Sequence, residues 1–360
     1  MIIEKIGSPT VIQSNPDSLH NYFGWPSIAE LQDGTIAVVS SGFRLEHVCP
    51  FGKAVISYSF DGGESYTRPA PVIDTPLDDR DAGITPFGKT GVLVTSFNNT
   101  RAFQRSCSDA PYVRAYLDSV SDEAEKQYLG AEFCISTDCG KTFGKVRRSP
   151  ITSPHGAAEL SDGTILWVGR AFPTPDKPLP EEVRAYTVEP DGAMQYRGSI
   201  ENIEVQGCPI LSCEPHIVEL PNGTILCHIR MEGGNEQTGG FFTTYQSVST
   251  DGGYTWTKPV PLLAQKGGAP AHLFVHSSGA VVSVYGYREK PYGIRFMVST
   301  DGGETWSTDH VLCDGFPNAD LGYPASVELA DGTILTVFYV HPAENEPAVI
   351  MQQKWQLIMG

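Results

Sequence analysis

Short apolar runs, each opened by a glycine-containing turn, recur along the chain: DGTIAVVSSG (33–42), KTGVLVTSFN (89–98), SDGTILWVGR (161–170), PNGTILCHIR (221–230), SSGAVVSVYG (277–286) and ADGTILTVFY (330–339). Each couples a glycine suited to positive φ with β-branched and aromatic residues, the pattern of a tight turn entering a strand. A further short apolar segment precedes most of them, as in WPSIAEL, HGAAEL, PHIVEL, AHLFVH and YPASVEL. Strand, turn, strand is a hairpin, and six hairpins at roughly sixty-residue spacing divide the chain evenly. A second repeat is interleaved. YSFDGGESY (58–66), ISTDCGKTF (135–143), VSTDGGYTW (248–256) and VSTDGGETW (298–306) all fit Ser-x-Asp-x-Gly-x-(Ser/Thr)-aromatic, an Asp-box. In three units the box follows the hairpin glycine by about 22 to 28 residues, where the third and fourth strands of a unit would meet.

Four-stranded units repeated six times predict an all-β fold, a six-bladed β-propeller with four Asp-box motifs. One domain over residues 1–360 is expected, because a propeller closes only when every blade is present. The Asp-boxes themselves read as scaffold. Their carboxylate can accept hydrogen bonds from its own turn, the glycine permits the bend, and the aromatic packs between sheets. An insertion at 99–130 lengthens the second blade. It carries the one helix the sequence predicts, around 115–128, and reads equally as a lid or rim wall and as a plain surface excursion.

Composition agrees with this and narrows the partners. The chain has 360 residues, 40% of them hydrophobic, enough for a large core, and its 37 glycines and 27 prolines suit many strands and turns. A net charge of −17 excludes nucleic acid and an anionic membrane surface as expected partners, while leaving room for a small ligand held by local arginines. The start, MIIEKIGSPTVIQ, has neither a basic n-region nor an apolar h-region, and no apolar run approaches a bilayer span. The eight cysteines show no CxxC pair and no zinc-type spacing. Reduced thiols and a cytoplasmic location are the resulting expectation.

In a propeller the innermost strand of each blade lines the central channel, so the residues opening these strands face any ligand. They include Asp79, Arg80, Asp81, His155, Glu214, His216, His272 and Tyr323. Second strands end in Arg44, Arg230 and Arg288, with Arg295 shortly after. An arginine closing an apolar strand is costly to desolvate unless an anion or carboxylate meets it. Three channel histidines would also suit a metal, but each sits on a different blade and no metal spacing is present, so neither metal nor cofactor is expected. Hydrogen bonds to sugar hydroxyls account for them equally well. Such groups converging on one axis define a pocket for a small saccharide or oligosaccharide.

With Asp-boxes and six blades, the chain resembles the sialidase superfamily over essentially its whole length. The resemblance implies a tyrosine nucleophile activated by a glutamate, an aspartate acid/base and three arginines clamping the substrate carboxylate. Glu214, opening EPHIVELPNGTILCHIR, resembles the glutamate partner, and Arg230 the second clamp arginine. Tyr323 in LGYPASVELADG resembles the nucleophile. Arg295 stands at about the distance of the third arginine, with Arg288 as the alternative. The first blade departs from the family pattern. GWPSI places Trp25 where the first clamp arginine belongs, and FRLEH offers Glu46 or His47 in place of the acid/base aspartate. Trp25 could instead give a stacking face to a sugar lacking the carboxylate, while Arg44 or Arg80 could substitute in the clamp.

The resemblance therefore favours a sialidase-like glycoside hydrolase, exo-acting on a terminal sugar that need not be sialic acid. A uronate-active lyase on the same fold, using Tyr323 with His155, His216 or His272, is the alternative, and a non-catalytic glycan-binding propeller is the third.

Overall fold

The computed structural model describes residues 1–172, 182–205, 207–234 and 239–359. Its strands form six antiparallel sheets, each one blade of a β-propeller. Blade one is Tyr22–Glu30, Ile36–Arg44, Lys53–Ser59 and Ala70–Ile73; blade two is Arg80–Phe87, Gly91–Phe97, Ala131–Ser136 and Arg147–Ser149. Blades three, four and five continue in the same inner-to-outer order, their inner strands including Ala158–Glu159, Cys208–Glu219 and Ala271–Val275. Blade six takes Gly322–Glu328, Ile334–Val340 and Val349–Ile358 from the end of the chain, and its outermost strand, Ile2–Gln13, from the beginning. The ring is thus closed by strand pairing between the two ends of the sequence.

Second strands read as continuous apolar runs because both faces of each sheet are covered by neighbouring blades. Each seam has its own cluster: Trp25, Leu335 and Tyr339 between blades six and one, Val39, Ile84 and Val94 between one and two, Val168, Ile217 and Ile229 between three and four. The Asp-box aspartates behave as the sequence predicts. Asp61 accepts from Ser59 Oγ (2.7 Å), the Ser65 amide (2.9 Å) and Ser65 Oγ (2.6 Å), and Asp138, Asp251 and Asp301 repeat the pattern. The turns also serve the seams. Gln352 Nε2 donates to the Gly63 carbonyl and Gln246 Nε2 to that of Gly303, both at 2.9 Å, while the Tyr58 hydroxyl donates to that of Gly140. In each case the third strand of one blade grips the box of the next.

The insertion differs from expectation. Three short helices, Arg101–Cys107, Pro111–Ser119 and Asp122–Tyr128, replace the single one around 115–128. Val120 is extended, and Ser121 Oγ accepts from the Ala124 amide, capping a new helix where the pattern suggested continuation. No described helix is long and apolar enough to cross a membrane, and the described residues contain no disulfide.

Candidate active site

Four inner strands carry one residue in the left-handed region: Trp25 (φ 53°), Asp81 (φ 50°), Glu214 (φ 49°) and Tyr323 (φ 47°). At each of them the pairing register with the second strand shifts, between Gly24 and Ser27, Arg80 and Gly83, Cys213 and His216, and Gly322 and Ala325. These bulges turn a side chain out of the sheet's alternation. In three of the four the next residue is proline (Pro26, Pro215, Pro324), which has no amide to leave unpaired at the bulge. A non-glycine residue in this region costs about 1–2 kcal/mol, and such residues concentrate where surrounding structure holds them for a purpose.

Blades four and six bring the principal groups together. The Tyr323 hydroxyl donates to Glu214 Oε1 at 2.6 Å, and Arg230 Nη1 donates to both Glu214 Oε2 (2.7 Å) and the Tyr323 oxygen (3.1 Å). Arg230 Nη2 is held by Glu232, a residue the sequence reading missed. Burial drives the Tyr323 phenol well above its ordinary pKa, and Glu214 and Asp81 add to this, against Arg230 and Arg288. The resting phenol is therefore neutral, with a carboxylate in place to take its proton. Burial alone would weaken the Arg230 cation, but Glu214 and Tyr323 more than restore it.

Of the two alternatives for the third arginine, Arg288 reaches this group. Its guanidinium lies 5.8 Å from the Tyr323 ring centre and donates to the Leu321 carbonyl (3.1 Å) and, at 3.5 Å, to the Tyr339 hydroxyl. Phe242, also missed, packs beside both arginines, 4.7 Å from Arg230 and 5.0 Å from Arg288. Arg295 stands on the third strand of blade five. There it covers Tyr287 at 3.5 Å and pairs with Asp309, outside the group. Sequence distance from Tyr323 favoured Arg295, but the strand end, not the strand body, faces the axis.

The first blade corrects two further expectations. Trp25 is only 1% exposed, enclosed by Tyr22, His47, Tyr339 and Tyr323, with the Arg44 and Arg80 guanidiniums 4.8 and 4.2 Å from its ring centre. It has no open face for a sugar. Arg44 is fully buried, paired with Asp78 at 2.5 Å and bonded to Ser41 Oγ and the His47 carbonyl, so it cannot swing into a clamp. Arg80 is less committed. It donates to the His47 carbonyl (3.1 Å) and stands 3.4 Å from Asp78 and 4.0 Å from Asp81.

Glu46 is exposed and has no partner among the described residues, so it does not join the site. His47 does, through a hub the sequence did not reveal. Asp320 accepts from His47 Nδ1 (3.0 Å), Tyr339 (2.9 Å), Tyr22 (2.8 Å) and His341 Nε2 (2.9 Å). Burial alone would raise the Asp320 carboxyl, but bonds from His341, His47 and Tyr22 hold it far below the usual carboxylate range. Partial desolvation also lowers the pKa of the half-exposed His47 ring, only partly offset by Asp320, and nearby Arg80 lowers it further.

Asp81 is nearly fully buried, and its Oδ1 has no hydrogen-bond partner. Burial first, then the charge of Glu214, push its carboxyl up to about 7 against Arg80, Arg230 and Arg44. Below, His155, His216 and His272 meet in the channel with ring centres 4.2–5.5 Å apart. All are held neutral by burial. The Leu273 amide donates to His216 Nδ1 (2.9 Å) and the Ser326 amide to His272 Nδ1 (3.4 Å), which leaves their protons on Nε2. Such rings are donors to an acceptor rather than lone pairs for a metal. Gly83 is required at this level, because a Cβ there would stand 2.3 Å from the Gly156 nitrogen in the segment leading into the inner strand of blade three.

Comparison with known proteins fits this geometry. The BNR repeat-like domain matches residues 119–336. No curated protein sequence matches the chain. Among solved structures, a protein of unknown function from Dyadobacter fermentans superposes with a TM-score of 0.74 at 20% identity, covering 99% of both chains. The intramolecular trans-sialidase of Ruminococcus gnavus gives 0.67 at 14% identity, covering 97% of both. The α-L-arabinofuranosidase of Fusarium graminearum gives 0.63 at 14% identity, covering 97% of this chain and 98% of its own. The chain belongs to the BNR repeat-like family, and it shares the six-bladed propeller fold of these structures.

Proposed function

We propose that the protein is an exo-acting glycoside hydrolase that uses Tyr323 as nucleophile on a terminal sugar other than sialic acid. One observation carries the reading: the Tyr323 hydroxyl donating to Glu214 Oε1 at 2.6 Å, with Arg230 bridging both. A phenol is a poor nucleophile until a carboxylate takes its proton, and Arg230 and Arg288 stabilise the charge that develops. Because burial keeps the resting phenol neutral, the proton moves to Glu214 as the bond to the anomeric carbon forms.

The substrate follows from the rest of the site. Trp25 fills the place of the first clamp arginine, Arg44 is paired with Asp78, and Arg230 already serves Glu214 and Glu232. Within the described group around Tyr323, the donors of Arg80 and Arg288 are less committed than those of Arg44 and Arg230, too few for a three-armed clamp, so a neutral sugar is favoured over a carboxylate-bearing one. The arabinofuranosidase with this fold is consistent with such a substrate. The channel histidines lend no support to lyase chemistry, since none of them hydrogen-bonds to Tyr323 or Glu214 among the described residues.

The test is hydrolysis of aryl glycosides, including pentofuranosides, hexosides, uronides and an α-sialoside, by wild type, Tyr323→Phe and Glu214→Gln. We expect turnover of a neutral glycoside, lowered ~10³-fold by Glu214→Gln and at least as much by Tyr323→Phe. Preferred cleavage of the sialoside would overturn the substrate reading. Full activity in Tyr323→Phe, or no turnover of any glycoside, would overturn the mechanism.

A further inference from the structure

We propose that Asp81, on blade two, is the general acid that protonates the leaving group, in place of the aspartate missing from blade one. The inference rests on the tyrosine mechanism above and assigns its missing proton donor. Three alternating blades (two, four and six) present Asp81, Glu214 and Tyr323 at the same bulged, left-handed position of the inner strand. Two of the three are the hydrogen-bonded nucleophile and base. The third carries a carboxyl that is nearly fully buried, has an oxygen without a partner, and is 4.0 Å from the nearest Arg80 nitrogen. A buried carboxyl oxygen left unpaired inside a cluster of reacting groups is costly unless a ligand meets it.

Competing donors fare worse. Glu46 is exposed and unattached. His47 gives its Nδ1 proton to Asp320, and its Nε2 faces Arg80 Nη2 at 3.4 Å, where a guanidinium donates and a second proton would meet like charge. It is a ring suited to accepting, not giving. Asp81 faces Arg80, Arg230 and Arg44 on one side of the balance and Glu214 on the other, and burial tips it toward the neutral form, its carboxyl raised to about 7. A carboxyl in that range holds a proton at neutral pH and can release it in the transition state.

The proton balance closes with these residues alone. In the first half-reaction Tyr323 Oη bonds to the anomeric carbon and its proton passes to Glu214. The glycosidic C–O bond breaks, and the leaving oxygen takes the Asp81 proton. In the second, water attacks the anomeric carbon and gives its proton to the Asp81 carboxylate, while Tyr323 departs and recovers its proton from Glu214. Protein and charges return to their starting state.

The experiment compares two aryl glycosides of whichever sugar the wild type hydrolyses, one with a dinitrophenolate leaving group and one with an alkyl alcohol. An acid is needed only for the poor leaving group. Asp81→Asn should lose ~10²–10⁴-fold on the alkyl glycoside but no more than about tenfold on the dinitrophenyl one in the glycosylation step. The alkaline limb of its kcat/KM profile, near pH 7 in the wild type, should vanish on the alkyl substrate. Asp81→Glu, which keeps the carboxyl, should retain the limb at a shifted pH and so guards against a merely misfolded variant. Equal losses on both substrates, or a leaving-group-selective loss in His47→Gln instead, would overturn the assignment. If Tyr323→Phe is inactive while Asp81→Asn loses uniformly, only the acid assignment fails. If Tyr323→Phe is active, the tyrosine mechanism fails first.

Discussion

Glu214, Asp81, Tyr323 and Trp25 hold a backbone conformation that side chains resist, and this places them off the sheet and on the axis. The strain has a direct readout at Glu214, where both Ala and Gly remove the carboxylate but only Gly tolerates φ near 49° without penalty. Glu214→Gly should therefore be more stable than Glu214→Ala by about 1 kcal/mol in urea denaturation, the reverse of the usual order in a strand. Equal stabilities would mean that the loop relaxes and the strain is not stored. Much of this residue pattern was legible: titratable residues opening apolar strands marked Tyr323, Glu214 and Asp81, and an arginine ending a strand marked Arg230. Asp320 was not legible, because an acid in a connection looks like any solvated charge until Tyr22, His47, Tyr339 and His341 converge on it from distant segments, and Glu232, near the end of its strand, gives no local sign that it will pair with Arg230. Trp25 was found but misjudged, since sequence shows an aromatic at the axis without showing what encloses it.

Hairpins and turns were the most readable elements, because strand alternation and glycine turns are local signals. The insertion was less so: its helix boundaries depend on the Ser121 cap inside an apparently continuous helical stretch. What fastens it is non-local. Asn98 donates to the Tyr128 carbonyl (2.9 Å) and accepts from the Gly130 amide (2.9 Å), joining the two ends of the insertion. The same Asn98 side chain lies 3.4 Å from Asp79, which accepts from the Thr75 amide and hydroxyl, both at 2.6 Å, and is paired with the buried Glu132. Burial, followed by the Asp79 charge, pushes the Glu132 carboxyl far above its ordinary value, so the pair shares a proton across neutral pH. A group raised on folding contributes its full stability below its unfolded pKa, about 4.3 for glutamate, and loses it as pH rises toward the folded value. Above about pH 7, where the buried histidines are neutral in the folded and unfolded chain alike, this pair should lower wild-type stability by up to ~1.4 kcal/mol per pH unit. Glu132→Gln keeps a donor to Asp79 without needing the proton, and should flatten that slope in melting curves taken from pH 7 to 9. An unchanged slope would place the pH sensitivity elsewhere.

Ring closure is a property of the whole molecule, and the sequence implied it only through the repeat count: the even division into six units showed that a circle must close, not which strand closes it. The amino-terminal strand does so by pairing from Ile2 with Ile358 to Gln13 with Ile350. Most of its residues are exposed, so it gains little from apolar burial. Its inner end is different. Gln13 is 1% exposed and reaches out of blade six into blade one, donating to the Val38 carbonyl (3.1 Å) and Ser57 Oγ (3.0 Å) and accepting from Ser40 Oγ (2.6 Å). This is a latch between the first and last parts of the ring, made entirely of buried polar groups whose partners have no water to turn to. Gln13→Leu retains the approximate shape but leaves the Ser40 and Ser57 hydroxyls unmatched, at about 1–3 kcal/mol for each group so orphaned. The urea midpoint should fall by an amount corresponding to about 2–4 kcal/mol, with an unchanged dependence on denaturant concentration. Activity at 25 °C should be retained, because the latch lies on the closing strand rather than among Tyr323, Glu214 and Asp81. Combining Gln13→Leu with Ser40→Ala and Ser57→Ala removes the orphaned hydroxyls and should recover part of the loss. A triple variant no more stable than Gln13→Leu would show that the strand is held by its backbone pairing alone.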